Sequence, residues 1–157
     1  MPRPADVGVG TAVFLIRSAQ SGRAETLLGR RFGAHGAGEW SLPGGWIDRA
    51  DGTIEFAAAR EIEEETGLVV RSADLRLVCA MKKDYPDFAT ITLFYAARVP
   101  HDGMGGVVSR EPAKCAGWVW FDLDDLPRPL FNAIDAAAEQ LRARPVAEAR
   151  GAVGYSI

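Results

Sequence analysis

The chain has 157 residues but only two cysteines and two histidines. Cys79 and Cys115 lie far apart, with no CxxC spacing and no histidine nearby. Both read as small buried or half-buried apolar side chains, and no disulfide is expected. No apolar run is long enough for a membrane-spanning helix. Residues 1–6 lead into an apolar stretch, Val7 to Ile16, but Gly8 and Gly10 interrupt it and it alternates like a strand, so no signal peptide is read there. A cytoplasmic protein without a membrane partner is the expectation. Net charge is only −3 and no long Lys/Arg run occurs, which argues against a nucleic-acid backbone as main partner.

What is present is ordinary globular material: 48% hydrophobic and 25% charged residues. The length fits one domain, 1–157, with its core at about 7–144. Val7–Arg17 and Thr26–Arg31 read as strands, followed by a loop rich in glycine (Gly33, Gly36, Gly38) and a short extended piece, 40–42. Residues 53–66 are Ala- and Glu-rich and free of Gly and Pro, the clearest helix in the chain. Asp51 or Thr53 is its expected cap and Gly67 its stop. Strands are expected at 69–81, 89–99 and 115–121, with a turn at 82–88 and a glycine loop at 100–114. A second amphipathic helix is expected over 130–143, through Leu130, Ile134, Ala137 and Leu141. This order implies an α/β fold with a mixed sheet covered by helices.

Chemistry concentrates in Arg60-Glu61-Ile62-Glu63-Glu64-Glu65-Thr66-Gly67-Leu68, with Leu42-Pro43-Gly44-Gly45 upstream. Glu61, Glu64 and Glu65 fall at i, i+3 and i+4, on one face of the helix. Glu63 points elsewhere and Ile62 toward the core. Taken alone, such a stripe is a solvated acidic face. Here Gly44-Gly45 can bring a carbonyl oxygen close to a cation, Arg60 can neutralise one acid, and Gly67 ends the helix just beyond. An oxygen-rich site of this kind suits Mg²⁺ and points to chemistry on phosphates.

At these residues the chain resembles the Nudix hydrolases, whose box reads Gly-x5-Glu-x7-Arg-Glu-U-x-Glu-Glu-x-Gly-U, with U a bulky aliphatic residue. Arg60, Glu61, Ile62, Glu64, Glu65, Gly67 and Leu68 match the second half. The first half departs: Gly45 lies one residue too far from Arg60, and Asp51 stands as a shifted, shorter substitute for the early glutamate. Val7-Gly8-Val9-Gly10, Leu27-Leu28-Gly29-Arg30-Arg31, Ala89-Thr90-Ile91-Thr92, Gly117-Trp118-Val119-Trp120-Phe121 and Pro129-Leu130-Phe131-Asn132 are similar to the MutT-like nucleoside-triphosphate pyrophosphatases.

The resemblance implies an α/β/α sandwich, Mg²⁺ (Mn²⁺ as an alternative), a small-molecule nucleotide or other diphosphate substrate, and a homodimer as in related enzymes. It implies metal ligands at Gly44, Glu61, Glu64 and Glu65, with Glu64 the first choice of general base, Glu65 mainly a ligand and Arg60 an orienting group. Substrate contacts are expected from Arg31 (phosphate) and from Thr90, Thr92, Leu130 and Phe131 (base). Glu111, Lys114, Trp46 and Asp51 are further candidates; Glu111 and Lys114 read equally well as surface charges. His35 could meet substrate from its loop, and Trp118 and Trp120 read as core. Trp46 stands where related nucleotide enzymes often carry a smaller or polar residue. The leading expectation is hydrolysis of a nucleoside triphosphate, including modified or oxidised ones, to monophosphate and pyrophosphate. ADP-ribose, a dinucleotide, a nucleotide sugar or a prenyl diphosphate is the alternative substrate, and a nucleotide-sensing domain the alternative role.

Overall fold

The structure is a computed structural model that describes residues 7–33, 35–100 and 107–144. The expectations for 1–6, for residues 101–106 with His101, and for the chain after 144 lie outside the described residues. Six strands form one mixed sheet: β1 (Val7–Ser18), β2 (Ala24–Arg31), β3 (Trp40–Ser41), β4 (Arg76–Asp84), β5 (Ala89–Arg98) and β6 (Cys115–Asp122). The strand order is β3-β2-β1-β5-β4, and β6 pairs with β2. Only β1 and β5 run parallel, in an unbroken register from Val7↔Ala89 to Ile16↔Arg98. Helix α1 (Ile54–Thr66) and helix α2 (Ile134–Ala143) complete the fold.

β1 is apolar throughout its centre because both sheet faces are covered. Val13 and Leu15 point to one face, where they pack with Ala58 and Ile62 of α1. Phe14 points to the other, against Phe94 and the Ile134, Ala137 and Ala138 face of α2. The core is therefore two layers, one per face, and the helices sandwich the sheet.

Thr53, not Asp51, caps α1: its hydroxyl accepts from the Phe56 N–H at 3.1 Å. Gly67 ends the helix with φ 74°, a left-handed turn that suits glycine, and its N–H donates to the Glu63 carbonyl at 3.0 Å. Two expected boundaries are corrected. The strand expected at 69–81 starts later, after a 3-10 turn at Ser72–Asp74, and runs on to Asp84. The second helix begins at Ile134 rather than at 130; Asn132, with φ 54°, turns the chain just before it.

The segment after Pro43 positions the site. It runs beside the start of β1, on the side away from β5. Val13 donates to the Pro43 carbonyl at 2.9 Å, Thr11 to the Gly45 carbonyl at 2.8 Å, and Ile47 to the Val9 carbonyl at 3.1 Å. Gly44 has φ 148°, and a Cβ there would meet the Thr11 carbonyl oxygen at 2.2 Å, so only glycine fits this close passage.

Candidate functional site

Arg60 is the hub of the helix α1 cluster. Its Nε and Nη2 donate to Asp51 Oδ1 and Oδ2 at 2.9 and 3.0 Å, a bidentate pair. The Asp51 side chain is only 3% exposed. Asp51 thus clamps Arg60 from the lengthened loop, and the guanidinium holds its pKa below the usual carboxylate range. Arg60 Nη1 donates to Glu61 and to Glu64, both at 2.9 Å, and Nη2 to the Trp46 carbonyl at 3.3 Å. Arg60 thus contacts three carboxylates and one backbone carbonyl.

The three glutamates divide. Glu61 lies against Gly45: a Cβ there would stand 2.5 Å from the Glu61 Cδ. Glu65 turns inward, where its Oε2 accepts from the Gly44 N–H at 2.9 Å. Burial raises the pKa of both, Glu65 to about 7, with repulsion from Glu111 and from neighbouring glutamates adding to it. Glu64 is exposed and bonded to Arg60 at the rim. Glu61 and Glu65 line the cleft, and Glu64 stands exposed beside them, sharing Arg60 Nη1 with Glu61. Among the described residues no three carboxylate, histidine or cysteine side chains stand ready to cage a metal ion. The donor chemistry nonetheless fits a hard divalent cation. It is all oxygen, and the half-buried Glu61 and Glu65 flank one glycine turn with their mutual repulsion only partly balanced.

The cleft in front of these acids measures about 490 Å³, within the usual range for a small-molecule site. Its floor is sheet: Gly10 and Thr11 of β1 with Thr90 and Thr92 of β5. Its far end is aromatic. Tyr85 and Phe88 stack with centroids 4.6 Å apart, and His35 lies 4.9 Å from Tyr85 and edge-on to Phe131 at 6.1 Å. Asn132 donates to Thr92 Oγ1 at 2.9 Å, while its own Oδ1 and the Thr90 hydroxyl are buried without a partner. Both atoms border the slot but are covered, so its open surface is mainly apolar and aromatic.

Arg31 lines the cleft, its guanidinium 4.0 Å over the Phe131 ring and its Nε bonded to the His35 carbonyl at 3.2 Å. Arg30 faces away and bonds Gly38. The loop at 107–114 is drawn to the end of α1 because Val108 and Arg110 donate to the Thr66 and Glu65 carbonyls, both at 3.1 Å. Lys114 therefore reaches the cleft and pairs with Glu111 at 2.8 Å beside it. Leu130 is corrected: it bridges to Trp40 and packs in the core with α2, outside the cleft lining. Trp118 and Trp120 pack on the core below α1, and the Trp118 indole N–H donates to the Glu65 carbonyl at 3.2 Å.

Sequence reasoning did not single out Tyr85, Phe88 or Asn132, which line the cleft. The aromatics sit in the β4–β5 turn and carry no spacing signal. Asn132 belongs to the segment 129–132 that resembles the family, and its left-handed backbone is visible only in three dimensions.

A family model described as NUDIX domain matches residues 7–143. The chain belongs to the NUDIX family. Among solved structures, a MutT NUDIX hydrolase from Burkholderia pseudomallei is 32% identical, with a TM-score of 0.74 over 87% of this chain and 98% of that one. An RNA pyrophosphohydrolase of Erythrobacter litoralis is 29% identical over 113 residues, 63% of this chain and 68% of that protein. An ADP-ribose pyrophosphatase of Methanocaldococcus jannaschii is 33% identical over 96 residues, 60% of this chain; the match spans about half, 53%, of that protein. This Nudix hydrolase is an enzyme with the sandwich fold of its structural neighbours. Nudix hydrolases act on small-molecule diphosphates and generally use divalent metals such as Mg²⁺. No helix among the described residues is long and apolar enough to cross a membrane.

Proposed function

We propose that this Nudix hydrolase is a nucleoside-triphosphate pyrophosphohydrolase, releasing a monophosphate and pyrophosphate, with modified or oxidised bases within its range. One observation carries the reading: a single cleft joins an aromatic slot, bordered by Thr90 and Asn132, to a wall of carboxylates (Glu61, Glu65), with Arg31 and Lys114 along its length. The slot suits a base. The cations suit the phosphates, which a protein of net charge −3 does not attract by its overall field. Glu61, Glu64, Glu65 and the Gly44 carbonyl would hold Mg²⁺, or Mn²⁺ in its place. Such an ion, when bound, neutralises the polyphosphate and polarises the attacked phosphorus.

Water attacks, the bond to the leaving pyrophosphate breaks, and a carboxylate takes the proton of the water. Glu65 stands inside the cleft wall for that work. Glu64, favoured from the sequence, completes the set from the rim once it leaves Arg60. Arg60, clamped by Asp51, keeps Glu61 in place. Arg31 and Lys114 steady phosphates.

A second reading, ADP-ribose as substrate, draws support from the relative named for that activity. Turnover of a nucleotide panel with Mg²⁺ against EDTA, with products identified, tests both. Pyrophosphate release from a triphosphate supports the first reading. AMP and ribose 5-phosphate, with no triphosphate cleaved, support the second. Binding without any turnover would sink both.

A further inference from the structure

Trp46 is the largest side chain left open at the site. It is 59% exposed, yet it lines the cleft and its surroundings hold it firmly. Its backbone bridges to Gly10, its carbonyl accepts from Arg60, and the next residue bonds Val9. The indole lies on β1 where that strand has no side chains. A Cβ on Gly8 would stand 2.5 Å from Trp46 Cζ3 and 2.9 Å from Cη2, and a Cβ on Gly10 would stand 3.6 Å from Cε3. Gly8 and Gly10 are in register with Thr90 and Thr92 on β5. The ring is thus laid beside the floor that carries Thr90 and Thr92. A fixed indole with an open face costs solvation and adds nothing to the core. A planar ligand ring seated on that floor would recover the cost.

We infer that Trp46 is a specificity-determining residue, a stacking wall that favours purine over pyrimidine nucleotides. The inference rests on the triphosphate reading for its substrate, but the stack itself is measurable without turnover. A two-ring base overlaps the indole more than a one-ring base, so loss of the ring costs the purine more. Stacking of a base on an aromatic side chain corresponds to about ten- to a hundredfold in affinity.

Three variants test it: Trp46→Ala removes the ring, Trp46→Phe keeps a smaller one, and Gly8→Ala pushes the indole off its seat. Each is first checked for a wild-type circular dichroism spectrum and melting temperature. The expected result with Mg²⁺ is a KM for ATP and GTP about tenfold or more higher in Trp46→Ala, a smaller rise for CTP and UTP, and kcat falling less than KM rises. Trp46→Phe should recover part of the loss, and Gly8→Ala should resemble Trp46→Ala. In EDTA, AMP should quench the tryptophan fluorescence of the wild type more than CMP does, and Trp46→Phe should abolish that difference. Equal losses for purines and pyrimidines, or no purine-selective quenching, would overturn the inference and leave Trp46 a mere cover for the glycines. If no triphosphate is cleaved but AMP still quenches selectively, the triphosphate reading falls and the stacking wall stands.

Discussion

Replacing Gly45 by alanine should cost turnover rather than stability. A Cβ at this position would lie 2.5 Å from both Cδ and Oε2 of Glu61 and 2.8 Å from its Oε1. Atoms that close cannot coexist, and the carboxylate is the part free to move. It is the far end of a flexible side chain, 16% exposed on α1. The backbone of Gly45 is not in the left-handed region, and its carbonyl bond from Thr11 does not involve the new atom. To regain ordinary contact Glu61 has to retreat by about 1 Å, a displacement that in a catalytic site can cost about 10²-fold in rate. The assay pairs kcat from released pyrophosphate with a thermal melt. The expected result is a loss of that order in kcat at a near-wild-type melting temperature. Two neighbours frame the experiment. Gly44→Ala meets backbone, the Thr11 carbonyl oxygen at 2.2 Å and the Ala12 Cα at 2.8 Å, and should fail to fold. Gly52→Ala meets nothing within 4 Å and should change neither quantity. Near-wild-type turnover in a folded Gly45→Ala would refute the reasoning, because Glu61 would then not need its observed place.

Glu65→Gln should lower kcat by about 10²- to 10⁴-fold, and Glu64→Gln should cost less; the opposite order in steady-state assays would return the base to Glu64. Arg31→Ala should raise KM with a smaller change in kcat, and an unchanged KM would remove Arg31 from the phosphate path. Asp51 carries a pKa lowered chiefly by its hydrogen bonds from Arg60. Its contribution to stability is fully present above the ordinary carboxylate pKa and is lost as pH falls through the depressed one. Asp51→Asn should therefore flatten the acid limb of a melting-temperature-against-pH curve, and an unaltered limb would show that the pair adds nothing.

Much of the site was legible because its signals are local. Helix spacing puts Glu61 and Glu65 on one face whatever the rest of the chain does, and Gly67 stops the helix where a left-handed residue is needed. The pattern of β1 announced a strand, and only the structure shows that both its faces are buried. The lengthened loop was legible as a departure, and its Asp51 clamps Arg60. The state of Glu64 was not legible. An i, i+4 pair with Arg60 competes with the cleft for that carboxylate, and only coordinates show the pair formed. Leu130 was misplaced because an apolar residue before a helix looks the same whether it faces core or cleft. Leu130 and Phe131 both pack on the core beside α2, and Phe131 also lines the cleft.

The sequence by itself determined the chemistry of this protein: which acids share a helix face, which glycines let backbone pass, and the family they belong to. Those are contacts within a few residues, so periodicity and spacing encode them. Tertiary structure alone brought the walls of the cleft together. His35, Tyr85, Phe88, Asn132 and Trp46 come from four separate segments and meet only because β1 and β5 pair in parallel and the 43–47 segment lies along β1. Long-range register assembles that slot, and no local pattern records it.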